Sequence, residues 1–161
     1  MSKPASASDG TNGKTNHQPQ LLHQVMISST GSDLKGHREL LSSAINSHGL
    51  HPNIMEHDSA KLVDVIESSL EKVRDSAAYI LIIGQRYGQT PECPTRNPDK
   101  LSITELEFNE AARLGRPTLL FVMGEEHDVK PRDVEKEPEK IIKLNAFRER
   151  AKQQGSVQLS V

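Results

Sequence analysis

The chain has 161 residues, 34% of them hydrophobic and 26% charged, with a net charge of −2. That size and balance fit one soluble domain with little room for a second, and the lack of a basic excess leaves no electrostatic footprint for nucleic acid or for an anionic membrane surface. The longest apolar runs fall far short of the roughly 20 residues that span a bilayer.

Met1 to Gln20 contain no Leu, Ile, Val or aromatic residue. Such a segment cannot bury enough surface to offset its ordering entropy. Residues 1–22 are therefore expected to form a disordered tail and residues 23–161 the folded domain. No apolar stretch marks a secretory signal in the tail. The single cysteine, Cys93, excludes an internal disulfide and a multi-cysteine metal centre. It agrees with a reducing compartment, and the cytoplasm is the expected location.

Order is expected to begin near Leu21. Gln24 to Ser28 is a short apolar run that stops at Ser29-Thr30-Gly31-Ser32, the pattern of a buried strand and a tight turn. Ser32 or Asp33 is placed to cap the next helix, which carries Leu34, Leu41, Ala44 and Ile45 at helical spacing and ends near His48-Gly49. Pro52 to Met55 reads as a weak edge strand. Lys61 to Val73 is amphipathic, with Leu62, Ile66, Leu70 and Val73 on one face. Tyr79 to Gly84 is apolar on both alternating faces, as in a central parallel strand covered on both sides.

A polar loop rich in Pro and Gly follows, from Gln85 to Leu101. Ser102 to Leu114 is the third helix, stopped by Gly115-Arg116-Pro117. Thr118 to Met123 reads as another buried strand, and Gly124 to Glu137 as a charged loop. Pro138 suits the first turn of a last helix with Ile141, Leu144, Phe147 and Ala151 inside, capped by Gly155. Val157, Leu159 and Val161 alternate as a fifth strand. Strict alternation of strands and helices predicts an α/β fold, a parallel five-stranded flavodoxin-like sheet in the order 2-1-3-4-5. A fifth helix would normally cover the last strand, so a longer parent protein or an external completion of the domain is expected.

In this architecture ligands bind beyond the carboxyl ends of the strands, at the switch point between the first and third. Ser28-Ser29-Thr30-Gly31 and Gly84-Gln85-Arg86-Tyr87-Gly88 border that cleft, and the helix starting at Ser102-Ile103-Thr104 adjoins it. At about 100° per residue, Ile103, Ala111 and Leu114 define the inward face of this helix. Glu107 falls in the middle of that face, whereas Glu105, Asn109 and Arg113 fall on the opposite, solvated side. An inward carboxylate is costly unless it is paired, hydrogen-bonded or lining a pocket. Two readings stay open for Glu107: a structural ion pair with Arg86 or Arg38, or a carboxyl group tuned for chemistry. Glu105 reads as a helix-dipole partner in the first turn.

Ser28, Ser29 and Thr30 offer hydroxyls and turn amides able to hold a ribose or a phosphate, or simply turn chemistry. Arg86 suits a phosphate and Tyr87 a stacked base; the alternatives are a carboxylate brace and a core tyrosine. Thr104, at the helix start beside the cleft, joins the expected substrate-binding set. Arg38 reads as a brace remote from the strand end. There is no G-x-x-x-x-G-K-[ST], H-E-x-x-H or G-x-S-x-G sequence. His48, His51 and His57 straddle a helix end and a strand, and no metal site is expected. Cys93 has no evident base beside it, so no nucleophilic role is expected.

Val25 to Leu34 (VMISSTGSDL), Tyr79 to Gly88 (YILIIGQRYG) and Ser102 to Ala111 (SITELEFNEA) occur in this order. Together they resemble the TIR-like domain of unknown function found at the N-termini of many STAND-type NTPases and repeat proteins. The resemblance runs from about Val25 to Met123. It implies a TIR-type flavodoxin-like fold and a relationship to nucleoside deoxyribosyltransferases. Those enzymes carry a catalytic glutamate in a Thr-x-x-Glu context, which Thr104-Glu105-Leu106-Glu107 matches. The resemblance thus selects Glu107 as catalytic and sets Ser28, Ser29, Arg86, Tyr87 and Ser102 on the nucleotide side. The sequence departs from the family pattern at His37, which precedes Arg38 where an acidic residue is common, and full-length relatives usually continue into an ATPase or repeat region that these 161 residues do not include.

Three functions follow as expectations. The first is cleavage of an N-glycosidic bond in NAD or a related nucleotide, with NAD as substrate and no resident cofactor. The second is an assembly module that associates with itself or with a STAND-type NTPase or repeat protein through the charged loop and the uncovered last strand. The third is a nucleotide sensor that uses the same cleft without turnover.

Overall fold

A computed structural model describes residues 23–54, 65–124, 126–154 and, for the backbone alone, 157–160. The tail expected over residues 1–22, together with Met55, Leu62 and Gly155, lies outside the described residues. Four parallel strands stand side by side in the order β2-β1-β3-β4: β1 (Gln24–Ser29), β2 (His51–Ile54), β3 (Ala78–Ile83) and β4 (Thr118–Val122). A short segment, β5 (Val157–Ser160), runs parallel along β4 with Leu119 in register with Val157. The helices α1 (Lys35–Ser47), α2 (Val65–Arg74), α3 (Ile103–Arg113) and α4 (Pro138–Gln154) connect them.

β3 explains the double-sided apolar pattern. Tyr79, Leu81 and Ile83 join Val73, Phe108, Ala111, Leu144 and Phe147 in the core under α2, α3 and α4. Ile80 and Ile82 join Val25, Ile27, Leu34 and Ile45 in the core under α1. Each alternate residue therefore loses its water to a different layer, which stabilises the central strand from both sides. β2 lies at the sheet edge, where Pro52 is tolerated.

Several elements differ from the sequence expectation. β4 is not buried throughout: Thr118, Leu120 and Val122 are buried, but Leu119 and Phe121 are only half-buried. Those two residues belong to the layer whose covering helix, among the described residues, is α1. Ser32 and Asp33 do not cap α1. They form a 3-10 turn in which the Leu34 amide donates to the Gly31 carbonyl at 3.3 Å, and neither side chain makes a cap bond. On α4, Leu144, Phe147 and Ala151 are buried, but Ile141 is 38% exposed because it precedes the turn that meets the core. The helix over the second connection is described from Val65, so its expected first turn, from Lys61, is outside the described residues.

Candidate functional site

β1 and β3 are neighbours with Ser29 in register with Ile82, and the helices that follow them, α1 and α3, pack into different core layers. The two strand ends are held to each other by two hydrogen bonds. The Thr30 amide donates to the Ile82 carbonyl at 3.2 Å, and the Gly84 amide donates to the Thr30 Oγ1 at 2.8 Å. Gly88 has φ +96°, and a Cβ there would stand 3.0 Å from the Thr30 carbonyl oxygen. Glycine is thus required for the two loops to approach this closely. α3 is tied to the same corner: the Thr104 hydroxyl donates to the Ser29 carbonyl at 3.0 Å, and Ser102 caps the helix by accepting from the Glu105 amide.

A cleft of about 270 Å³ opens at this corner, lined by Ser28, Ser29, Thr30, Arg86, Thr104 and Glu107 together with Arg38 and Lys140. Glu107 is 2% exposed. It forms no ion pair with Arg38 or Arg86, the structural alternative read from the sequence. Instead the Ser28 hydroxyl donates to its Oε2 and the Ser69 hydroxyl to its Oε1. Burial raises its pKa to about 7, against the opposing pull of the two serine hydroxyls and of Lys72. A carboxyl group of that acidity can carry or release a proton near neutral pH.

Arg38 is not remote from the strand end. α1 begins one short turn after β1, so its first turn folds back over the corner. The guanidinium donates to the Ser29 Oγ at 2.6 Å and to the Gly31 carbonyl at 3.0 Å. Arg86 is exposed and makes no hydrogen bond or ion pair with another described residue. It lines both this cleft and an adjoining cavity of about 560 Å³ that contains Asp33, His127 and Asp133. Lys140 reaches the cleft from α4 while paired with Glu137 at 2.8 Å.

Two expected substrate contacts lie elsewhere. Tyr87 is fully buried, and its hydroxyl donates to Glu105 while accepting from the Ser102 amide. Burial and the Glu105 carboxylate hold its acidity well below that of a free tyrosine. Ser102 is likewise fully buried and serves as the helix cap. Neither is among the residues lining the cleft. Glu105 is not on a solvated side: it is 8% exposed, closed over by Tyr87 and by Arg150 of α4. Arg150 in turn lies over the rings of Phe108 and Phe147.

Sequence reasoning missed Ser69, Arg38 and Lys140 as site residues. Ser69 had a legible mark: it sits between Ile66 and Val73 on the buried stripe of α2, where a polar side chain needs a partner. Arg38 and Lys140 had none, because only the packing of α1 and α4 brings them to the corner.

Among the described residues no helix is long and apolar enough to cross a membrane. Residues 24–159 match the model of a family described as a domain of unknown function (DUF4062). No curated protein matches the chain.

Proposed function

The chain belongs to the DUF4062 family, a domain of unknown function, and from that premise we propose that it binds a nucleotide in the Glu107 cleft and cleaves its N-glycosidic bond, with NAD as the substrate. The observation that carries this reading is Glu107 itself: a buried carboxyl group with no ion-pair partner among the described residues, held by two hydroxyls, lining a cleft that Arg38 and Arg86 also line. A carboxylate so placed is suited to a cationic reacting centre, and the guanidiniums to a phosphate.

In this mechanism the C1′–N bond of the nicotinamide riboside breaks, and its electron pair goes to the ring nitrogen. Nicotinamide then leaves neutral and needs no general acid. The ribose gains oxocarbenium character, which the Glu107 carboxylate stabilises. Water adds to C1′ and gives a proton to that carboxylate, which returns it to solvent. Ser28 and Ser29 would contact the ribose, and Arg86 the phosphate.

The reading includes a TIR-like relationship, the five-stranded order 2-1-3-4-5 and a cytoplasmic signalling or defence role. The parallel pairing of Val157–Ser160 with β4 and the lone Cys93 support it. The test is nicotinamide release from NAD over hours at high protein concentration, with wild type and Glu107→Gln side by side. Release by wild type that vanishes in the variant is the expected result; equal release by both overturns the mechanism.

A second reading, an assembly module that joins copies of itself or a STAND-type NTPase, is favoured by apolar surface. Leu40 is 73% exposed and Ile142 70% exposed, and Leu119 and Phe121 are only half-buried. Light scattering that shows a strict monomer at high concentration would count against it.

A further inference from the structure

The two oxygens of the Glu107 carboxylate are held from different sides. Ser28, on β1, lines the cleft; Ser69, on α2, does not. Both serines are buried, Ser28 to 3% and Ser69 to 1% exposure. A serine within a helix commonly spends its hydroxyl on the carbonyl one turn back. Ser76 does so just beyond the end of α2, donating to the Lys72 carbonyl at 2.8 Å. Ser69 instead donates across to α3, to a residue 38 positions away. The bond is not the sole tie between α2 and α3: Ile66 and Val73 are buried on the same stripe, and Arg74 pairs with Glu110 at 2.8 Å.

We propose that Ser69 is a positioning residue for Glu107: its hydroxyl anchors the Oε1 edge from behind, so that the Oε2 edge, shared with Ser28, is the one presented to a ligand. The assignment rests on the reading of Glu107 as the reacting carboxylate. A ligand hydroxyl can replace the Ser28 bond without freeing the side chain, because the Ser69 bond stays. The carboxylate plane is then fixed before the substrate arrives, and no rotamer search accompanies binding. The other groups that face Glu107 are Lys72 from α2 and the Tyr79 ring from β3, with Thr104 of its own helix and the Arg38 guanidinium on the shared cleft. Lys72 donates to the Ile54 carbonyl at 2.8 Å and is therefore held where it is.

The experiment follows the Glu107 carboxyl carbon by NMR titration of protein labelled at glutamate side chains, with the resonance assigned by its loss in Glu107→Gln. Wild type, Ser69→Ala, Ser69→Thr and Ser28→Ala are compared. Loss of a donor to the charged form raises a carboxyl pKa, so Ser69→Ala is expected to titrate roughly one pH unit higher than wild type. Ser69→Thr keeps the hydroxyl and is expected to restore the wild-type midpoint. Ser69→Cys, close in shape with a weaker donor, gives a smaller rise in the same direction and carries the test should the alanine variant not fold. In nicotinamide release, Ser69→Ala is expected to lower kcat and move the pH profile with the titration while KM stays put; Ser28→Ala is expected to raise KM. A Ser69→Ala titration that overlays wild type overturns the proposal. Equal nicotinamide release by wild type and Glu107→Gln overturns the catalytic reading alone, since the titration reports the clamp whatever the chemistry.

Discussion

Ser28 and Glu107 are hydrogen-bonded to each other although 79 positions separate them. The bond joins the carboxyl end of the first strand to the second turn of α3. It exists because β1 and β3 are sheet neighbours and because Thr104 locks α3 onto the Ser29 carbonyl. A polar contact of this reach inside a core is expensive to build and leaves its partners unsatisfied when broken.

Glu107→Gln keeps the shape and removes the charge. If the carboxylate stabilises an oxocarbenium ion, the loss falls on the transition state alone. Nicotinamide release is expected to drop by about 10²-fold or more, with NAD affinity little changed. Calorimetric titration of NAD on both proteins, beside the rate assay, separates the two quantities.

The same pair provides a pH test of stability. The folded pKa of Glu107 is about 7 against an ordinary 4.5. As pH rises between those values the native state keeps a proton that the unfolded chain has already released. The unfolded state then binds fewer protons, so native stability falls through that window. Glu107→Gln has no such proton. Its stability relative to wild type is expected to be constant below about pH 4.5, to grow through the window, and to level off above pH 7 at an advantage of a few kcal/mol. Urea unfolding of both proteins from pH 4 to pH 8 measures this. A wild-type disadvantage that does not grow with pH would mean that Glu107 titrates at its ordinary value.

Tyr87→Phe distinguishes a base-stacking residue from a core one. The hydroxyl satisfies Glu105 and the Ser102 amide, both buried. Its removal leaves them short of a partner and is expected to cost about 1–3 kcal/mol of stability. Nucleotide affinity is expected to stay within twofold of wild type, because the ring is not on the cleft. Thermal unfolding and a binding isotherm on the same preparation decide it.

Much of this arrangement could be read before folding. The apolar runs at Val25–Ser28 and Tyr79–Ile83 and the phase of α3 sufficed to place Glu107 inward, since helical phase is local information. Phase also put Glu105 on the far side of the same helix, and there the reading failed. That side is solvated only if nothing packs on it, and Arg150 of α4 does. The same reason explains β4. Alternation shows which residues share a face but not how much helix lies above it, and Leu119 and Phe121 are left half-buried. Ser69 was invisible as a partner of Glu107 because the bond depends on how α2 docks against α3.

Gly88→Ala tests the corner itself. The backbone there has φ +96°, and the added methyl would meet the Thr30 carbonyl at 3.0 Å. Neither the conformation nor the contact can relax without moving the β3–α3 loop away from β1. A loss of about 1–3 kcal/mol in stability is expected, with weakened ligand binding because Thr30 and Arg86 separate. Equal stability by denaturant unfolding would show that the loops are not held together there.

Arg86→Gln tests what class of ligand the cleft takes. Arg86 is exposed and makes no hydrogen bond or ion pair with a described carboxylate, although its charge partly offsets the burial that raises the Asp33 carboxyl, so its removal should lower stability only slightly. If it contacts a phosphate, one charge-assisted hydrogen bond is lost from the complex, and affinity for NAD or AMP is expected to fall about tenfold or more. Adenosine carries no phosphate, and its affinity is expected not to change. The salt dependence gives a second reading of the same contact: raising ionic strength from low to physiological should weaken wild-type binding of AMP more than that of the variant, because only the wild-type complex has the screened attraction to lose. Equal losses for AMP and adenosine would instead place Arg86 against the sugar or the base, and the cleft would then be selecting a nucleoside rather than a nucleotide.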